Sequence, residues 1–378
     1  MAAESGIGGW LLYHSVGRFP GQEAAMNVVM AEFAHAWCAT DDRRWAVADA
    51  GRREVFSLWA DLIGAPIGSI MGAENVTAAF SAFIEALPAG ILAGRSVLIA
   101  EDCFPSLHFL LSELAERGGF RLVTVRVRPG GLGVEEEDFL AAWDASVALA
   151  VITWVTSTAS RRADLSTVIA HARTHGSLVA VDITQGAGIL PFDVVKYPVD
   201  FAASTCLKWM CGVPGAGVGY IAPALLGTLQ PRLRGWFSQP DPFNWQIDRF
   251  SLAADARRFD NGTPSYLPYL STLPGLRWLH ATGIEAVRSQ NLRLCRKLMD
   301  IADAHGLRLA SPRDEARRGG TVVVELPDAW DPNEAQRALM RIGLLCDTRG
   351  TRMRWSPGPV TEDAAMVALE RFLGEYRG

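Results

Sequence analysis

The chain has 378 residues, of which 49% are hydrophobic and 20% charged, an ordinary globular composition. Its length suffices for one large domain and a smaller one, or for two domains of middling size. Its formal net charge of −5 is spread along the chain without a basic block, which argues against nucleic acid as a partner. The six cysteines show neither CxxC spacing nor histidines at metal-binding distance, so we expect reduced thiols and no metal site. The sequence shows neither a signal-peptide pattern nor an apolar run of about eighteen residues, and we expect a cytoplasmic protein without a membrane partner.

The first predicted elements are an arm and three helices. Residues 1–20 are rich in glycine and are predicted to form an arm with the motif YHSVG at Tyr13–Gly17. Apolar residues at helical spacing predict a helix over Gly21–Trp37, a second over Asp49–Ile63 and a third from about Glu74. The sequence leaves open whether the arm closes a functional site.

Between residues 96 and 182, short β-rich segments alternate with amphipathic helical segments. The predicted strands and intervening helices are, in order, Ser96–Ala100, Pro105–Arg117, Arg121–Val127, Glu135–Trp143, Val147–Thr153, Leu165–His175 and Leu178–Asp182. This alternation predicts an α/β fold in which a mostly parallel sheet is covered by helices on both faces. In such sheets ligands bind beyond the carboxyl ends of the strands, where Thr153 and Asp182 lie.

One lysine, Lys208, lies between two further predicted strands, Asp200–Ser204 and Val218–Ile221. Its sequence neighbours are apolar, and apolar surroundings disfavour the ammonium form and favour a neutral, nucleophilic amine. A lysine after one strand and a carboxylate, Asp182, at the end of another are what a pyridoxal phosphate site requires. The lysine forms a Schiff base, and the carboxylate keeps the pyridine nitrogen protonated. The structural alternative is a surface lysine and a turn-capping aspartate.

Four other positions are candidates for the same site. Thr77 lies where a loop enters a helix, and free N–H groups there favour an anion, although an ordinary helix cap is the alternative. Phe104 could stack on a flat ring or be a core aromatic residue. Thr153 ends a strand at the expected binding edge. Arg354, in a late strand, could pair with a substrate carboxylate or be a solvated arginine.

The C-terminal part is predicted to be a smaller α+β unit. After an irregular, aromatic-rich stretch at 231–260, the predicted elements are a long helical region from Gly262 to about His305, strand Thr321–Glu325, helix Asn333–Ile342, strands Leu344–Asp347 and Arg352–Trp355, and helix Glu362–Tyr376. We predict an arm and helix in residues 1–45, a large domain in 46–264 and a small C-terminal domain in 265–378.

Several other chemistries lack their sequence signals. The glycine-rich run Gly212–Gly219 leads into a strand and not a helix, which argues against a dinucleotide-binding oxidoreductase. Neither a G-x-S-x-G elbow nor an HExxH motif is present. The acidic residues Glu135–Glu137 are interpreted as solvated charges on a surface helix.

The chain resembles the fold-type I pyridoxal-phosphate enzymes of the class V aminotransferase group, and within that group most of all kynureninase. The segments that carry the resemblance are VDITQGAG at Val181–Gly188, the Lys208 stretch VDFAASTCLKW with GVPGAGVGYI, GWF at Gly235–Phe237, RRFDNGTPSY at Arg257–Tyr266 and LLCDTRG at Leu344–Gly350. They occur in the right order over nearly the whole chain.

The resemblance implies roles for particular residues. Lys208 would be the Schiff-base lysine, Asp182 the partner of the pyridine nitrogen, and Arg354 the arginine that holds the substrate α-carboxylate. The remaining cofactor contacts would come from Val76, Thr77, Phe104, Thr153, Gln185, Trp236 and Thr263, the last two completing the phosphate cup. In this family such groups commonly come from the neighbouring subunit, so the resemblance implies a homodimer with shared sites.

Two departures from kynureninase bear on the substrate. Gln185 stands where kynureninases have a histidine, and Leu207 where they have a tyrosine. Glutamine cannot titrate near neutral pH and leucine cannot donate a proton, so we do not expect kynurenine as the substrate. Loss of a group from Cβ of an amino acid is the favoured reaction. Transamination, epimerisation and decarboxylation linked to oxidative deamination remain alternatives, as does a non-catalytic binding protein with this fold.

Overall fold

The computed structural model describes residues 7–376, and its larger sheet has seven strands. These are β1 Ile70–Ala73, β2 Ser96–Ala100, β3 Arg121–Val125, β4 Val147–Thr153, β5 Leu178–Asp182, β6 Phe201–Thr205 and β7 Gly217–Ile221. The spatial order is β1-β7-β6-β5-β4-β2-β3. Strand β7 runs antiparallel to the other six described strands of this sheet, which are parallel to one another. The predicted, mostly parallel sheet is confirmed.

Helices cover both faces of this sheet. The described α-helices are α1 Gln22–Trp37, α2 Arg43–Leu62, α3 Val76–Ala86, α4 Pro105–Gly118, α5 Glu136–Ala141, α6 Leu165–His175, α7 Pro223–Leu226, α8 Leu267–Thr282, α9 Ile284–Ala304, α10 Pro332–Arg341 and α11 Asp363–Glu375. Alternate residues of β5 join different buried clusters, Val179 and Val181 on one face and Ala180 on the other. Because strand side chains alternate between faces, both faces are covered by packed side chains.

A second sheet has four antiparallel strands in the C-terminal part of the chain. Their bounds are β8 Arg308–Leu309, β9 Val322–Glu325, β10 Asp347–Arg349 and β11 Arg352–Trp355, in the spatial order β10-β11-β9-β8. Helix α9 packs on β8 and β9, and α11 packs on α9. Helix α8, by contrast, packs on α1 and α2. The predicted domain boundary at residue 265 stays a prediction, and the helix that follows it lies with the large-sheet side.

Several elements differ from the sequence prediction. Helix α2 begins at Arg43, before the predicted Asp49, and the single long helical region is two helices separated at Gly283, where φ is 81°. The strand predicted at Leu344–Asp347 lies instead at β10, because Asp347 pairs with Arg354 and Arg349 with Arg352 across a tight turn. Strand β1 was not predicted, since only four residues of it pair with β7.

The predicted solvation of Glu135–Glu137 is wrong for Glu136. Its carboxylate is 13% exposed and accepts hydrogen bonds from Arg161 at 2.7 Å and Arg317 at 2.8 Å. Arg317 is distant in sequence from Glu136, so the pairing depends on tertiary contacts that a local sequence pattern does not reveal.

The described part of the arm joins the two sheets. Its backbone forms bridges from Trp10 to Leu345 and from Leu12 to Ser356. Leu11 is fully buried in the core of the smaller sheet. On the other side, the Gly17 N–H donates to the Leu207 carbonyl at 2.9 Å. The arm therefore runs between the smaller sheet and the turn that carries Lys208. Residues 1–6 of the predicted arm lie outside the described residues.

Candidate active site

A cavity of about 750 Å³ lies at the carboxyl ends of β2, β4, β5 and β6. Parallel strands bring their ends to one edge of the sheet, so residues far apart in sequence meet there. The predicted site residues that line the cavity are Val76, Thr77, Phe104, Thr153, Asp182, Gln185 and Lys208. Leu207 lines it as well, and Trp236, Thr263 and Arg354 do not.

The Lys208 amine lies inside this cavity, 5.6 Å from the centroid of the Phe104 ring. Burial lowers the pKa of Lys208 to about 8, an effect that Asp182 opposes and that Arg354 and Arg349 reinforce. A lysine with this pKa carries an appreciable neutral fraction near neutral pH and can act as a nucleophile or base. Phe104 is 38% exposed, so the alternative of a core aromatic residue is wrong.

The turn that carries Lys208 is closed by backbone hydrogen bonds. Gly212 N donates to the Cys206 carbonyl at 2.8 Å, and Cys211 N donates to the Lys208 carbonyl at 2.9 Å. Cys211 has a φ of 55°, in the left-handed region that non-glycine residues seldom adopt. Strained residues of this kind persist where the surrounding structure fixes them, often at functional sites. The turn thus holds the lysine in a defined position.

Asp182 ends β5 and is buried, with 6% of its surface exposed. Thr184 N donates to its Oδ1 at 2.9 Å. Burial raises the pKa of Asp182, because water stabilises a carboxylate better than the interior does. A cationic ring N–H facing this group would stabilise its ionised form.

The N-terminus of α3 forms one wall of the cavity. The Asn75 side chain caps the helix by accepting a hydrogen bond from Ala78 N at 2.9 Å. The first N–H groups of a helix have no carbonyl partner within it, and those of Val76 and Thr77 lie at the cavity wall. Free N–H groups together with the helix dipole favour a phosphate or another anion.

One buried hydroxyl group at the cavity, Thr153 Oγ1, has no hydrogen-bond partner among residues 7–376. Buried hydroxyl groups normally have partners, and an orphaned one calls for an explanation. A polar ligand in the cavity would supply one. Sequence reasoning missed Thr184, which also lines the cavity, although its position two residues after Asp182 at a strand end was the available signal.

The Gln185 side chain is engaged by the protein itself. Its Nε2 donates to the His14 carbonyl at 2.9 Å, and its Oε1 accepts from Trp209 Nε1 at 3.4 Å. Gln185 thereby attaches the arm to the cavity wall. Leu207, beside Lys208, contributes only an apolar surface to the cavity.

Arg354 lies next to the cavity and is 2% exposed, so it is not a solvated surface arginine. Its Nε and Nη2 donate to the two oxygens of Asp347 at 2.7 and 2.5 Å. Its Nη1 donates to the carbonyl of Ser157, a residue of the cavity wall, at 2.8 Å. Sequence reasoning missed Asp347, whose place in the LLCDTRG segment was the available signal.

Trp236 and Thr263 do not line the cavity of their own chain, and hydrogen bonds join the two segments that carry them. Trp236 begins a short 3₁₀ helix in which Phe237 N donates to the Asn261 carbonyl at 3.3 Å. The Ser238 hydroxyl donates to the neighbouring Asp260 carbonyl. The segments that carry Trp236 and Thr263 are therefore joined into one unit.

A metal-binding cluster and a membrane-spanning helix are both absent from residues 7–376. This part of the chain contains no cluster of three or more His, Cys, Asp or Glu residues that could hold a metal ion. None of its helices is long and apolar enough to cross a membrane.

The family model for class V aminotransferases matches residues 46–353. The chain is 27% identical over 289 residues to kynureninase of Geobacillus thermodenitrificans (strain NG80-2), covering 73% of this chain and 66% of that protein. It is 28% identical over 289 residues to isopenicillin N epimerase of Streptomyces clavuligerus, covering 74% of this chain and 72% of the epimerase. The matched region thus spans slightly less than two thirds of the kynureninase.

Solved structures of C-DES have the same fold. A C-DES mutant with glycine covalently linked to its PLP cofactor has a TM-score of 0.87 at 17% identity, covering 98% of this chain and 97% of that chain. The cystine C–S lyase C-DES with its reaction product cysteine persulfide has a TM-score of 0.86 at 18% identity, covering 98% of each chain. The predicted fold class is confirmed.

Proposed function

The chain belongs to the class V aminotransferase family, and on that premise we propose that it is a pyridoxal-phosphate-dependent enzyme acting on a small α-amino acid or amino-acid conjugate. One observation carries the proposal, the cavity in which the Lys208 amine, the Phe104 ring and the buried Asp182 carboxylate meet. A binding protein without catalytic activity would need neither a lysine of lowered pKa nor a buried carboxylate at this place.

The cofactor is pyridoxal 5′-phosphate, which when bound stores in its protonated ring the electron pair of a bond broken at the substrate Cα. Lys208 would hold it covalently, and Asp182 would face its ring nitrogen. Phe104 would stack on the ring, and the N–H groups of Val76 and Thr77 would bind the phosphate. The unpartnered hydroxyl of Thr153 supports this fit, because it offers a donor to the cofactor's oxygen atoms.

Lys208 is proposed to move protons as well as to hold the cofactor. With a pKa of about 8, its Nζ can accept a proton from the substrate Cα near neutral pH and return it. Arg354 is proposed to bind the substrate α-carboxylate. Its contacts to Asp347 and Ser157 leave one N–H on each terminal nitrogen without a partner in the described chain.

We favour loss of a group from Cβ as the reaction. The cystine C–S lyase C-DES shares this fold and its name denotes cleavage, which supports this choice together with the resemblance to kynureninase. Kynurenine is not the proposed substrate, since Gln185 and Leu207 offer no titrating group where kynureninases have histidine and tyrosine. Epimerisation, supported by the similarity to isopenicillin N epimerase, and transamination would use the same Lys208.

Trp236 and Thr263 are proposed to complete the phosphate site of a neighbouring subunit. Neither residue lines its own cavity, and both lie on joined segments. Phe243 and Trp245, whose rings lie beside Trp236, are 70% and 73% exposed. A second copy of the chain would cover these aromatic side chains. The proposed assembly is a homodimer with shared sites.

The visible absorption spectrum tests the proposal. The purified protein, supplied with pyridoxal phosphate, is expected to show the visible absorption band of a lysine-bound cofactor. Lys208→Ala should lose the band, and Lys297→Ala, at an exposed lysine, should keep it. The protein loaded with pyridoxal phosphate would then be incubated with amino acids, and the products screened for pyruvate, alanine and racemised amino acids. A colourless wild type would contradict the proposal.

A further inference from the structure

We propose that His14, in the N-terminal arm, is a positioning residue for carboxylate recognition: its imidazole fixes Asp347, and Asp347 fixes Arg354. The proposal rests on the proposed function, in which Arg354 binds the substrate carboxylate. It assigns a role to the YHSVG motif and to the arm, for which the site as described above gives none.

The contacts of His14 extend on both sides of its ring. Its Nε2 lies 2.8 Å from Asp347 Oδ1, and its Nδ1 lies 2.6 Å from Ser356 Oγ. Ser356 Oγ lies 2.6 Å from Thr321 Oγ1. His14 is 3% exposed, and burial lowers its pKa to about 4, so the ring is neutral. Arm, β9 and β11 thus meet in one buried polar network.

The protonation of Asp347 determines the direction of these hydrogen bonds. Burial opposes its ionisation, but the hydrogen bonds from His14 and Arg354 outweigh burial and hold its pKa well below the usual range. An ionised carboxylate only accepts, so the neutral imidazole carries its proton on Nε2 and accepts from the Ser356 hydroxyl at Nδ1. The Thr321 hydroxyl then donates to Ser356, and each member of the network has one defined role.

Asp347 transmits this order to Arg354. Its Oδ1 accepts from both His14 and Arg354 Nε, while its Oδ2 accepts from Arg354 Nη2. With His14 removed, the carboxylate loses one of the hydrogen bonds that fix its plane. The guanidinium, then held only by this looser carboxylate and by the Ser157 carbonyl, is fixed less tightly. The two N–H groups available to a substrate then lose their fixed direction, which weakens carboxylate binding.

The arm is held on both sides of His14. Leu12 is bridged to Ser356, and Gly17 N donates to the Leu207 carbonyl. The His14 carbonyl itself accepts from Gln185 Nε2 at 2.9 Å. His14 therefore links the cavity wall to Asp347, through its carbonyl on one side and its ring on the other. Because its backbone is held in place, the imidazole has a fixed position next to Asp347.

The test compares two amines on the holoprotein at one pH. Glycine carries a carboxylate and methylamine does not, so the ratio of their dissociation constants, read from the shift of the cofactor's visible band, isolates carboxylate recognition. His14→Met and His14→Gln are nearly equal in size, but only glutamine can donate to Asp347. Val16→Ala, at an exposed arm position, is the control.

We expect wild type and Val16→Ala to prefer glycine strongly. His14→Met should lower this preference by about tenfold, the effect of one lost hydrogen bond to a charged group, while methylamine affinity stays within about twofold. His14→Gln should recover most of the preference. Thermal melting of each cofactor-free variant shows that the compared proteins are folded. If the methionine variant is unstable, His14→Leu, which also cannot donate to Asp347, takes its place with the same expected loss of preference.

The outcomes separate this inference from the proposed function. If Arg354→Ala loses the preference for glycine but His14→Met keeps it, the role of His14 is overturned and the proposed function stands. Equal losses for both amines in His14→Met would also overturn it, because they indicate general damage to the site. If Arg354→Ala keeps the preference, the carboxylate role of Arg354 and the inference built on it both fall.

Discussion

At the scale of single residues, burial of the Lys208 amine affects both reactivity and stability. The folded pKa of about 8 lies below the ordinary value of 10.5. Between these two values the unfolded chain binds more protons than the folded protein, so stability rises with pH in this window. The contribution is unfavourable at lower pH, where the buried amine must carry its charge.

This pKa leads to a first prediction for the cofactor-free protein. The free energy of unfolding of wild type, relative to Lys208→Met, should increase by about 2 kcal/mol between pH 8 and pH 10. Chemical denaturation at both pH values measures this difference, and Lys297→Met at an exposed lysine is the control. A relative stability that falls or stays level over this window would show that Lys208 is not buried as described.

The unpartnered hydroxyl of Thr153 gives a second prediction, with opposite expected effects on stability and on cofactor binding. Valine matches threonine in shape and lacks the hydroxyl, so Thr153→Val should leave the cofactor-free protein equally stable or stabilise it by about 1 kcal/mol. The same change should weaken pyridoxal phosphate binding by about tenfold if the hydroxyl contacts the cofactor. Thermal melting and cofactor titration measure the two effects. Unchanged cofactor affinity in Thr153→Val would remove this hydroxyl from the site.

Local sequence located much of the cavity wall. Asp182 and Thr153 lie at strand ends that apolar runs define, and Lys208 lies in a turn between two strands, so one edge of a parallel sheet brings them together. The Asp347–Arg354 pair has a third member, His14, which is hydrogen-bonded to Asp347 and lies 333 positions before it in the sequence. No periodicity or spacing encodes such a contact, because it depends on where the arm folds back.

At the scale of elements, the position of the arm is the feature that the sequence pattern does not predict. The strands and helices of the large sheet follow from apolar periodicity, and several match their predicted bounds. The arm has no such pattern, and its position depends on close backbone contact. At Gly17 an added Cβ would lie 1.7 Å from the Lys208 carbonyl oxygen, which only glycine permits.

A third prediction follows for Gly17→Ala. The methyl group would force the arm away from the Lys208 turn, and we expect a loss of about 1–3 kcal/mol in the free energy of unfolding. Gly227→Ala is the matched control, since an added Cβ there meets no atom within 4 Å. Chemical denaturation measures both variants. If Gly17→Ala were as stable as its control, the described docking of the arm would be contradicted.

At the scale of the whole molecule, neither Trp236 nor Thr263 lines its own cavity, which supports a site shared between two chains. A fourth prediction concerns mixed dimers of Lys208→Ala and Trp236→Ala. Random mixing makes about half of the dimers mixed, each with one complete site, so about a quarter of the wild-type tightly held cofactor should return. The visible absorption of the protein after gel filtration measures the cofactor that stays bound. If mixed dimers, confirmed by mass, retain no more cofactor than the two parent variants, Trp236 lies outside the partner's site.

The measurement that tests the central claim most directly is borohydride reduction of the holoprotein followed by peptide mapping. The sequence contains three lysines, Lys196, Lys208 and Lys297, and the first and last are exposed, so they serve as internal controls. We predict that the reduced cofactor is attached to Lys208 alone, in the peptide that also contains Leu207 and Trp209. Attachment to either exposed lysine, or to none, would contradict a catalytic pyridoxal phosphate site in this cavity.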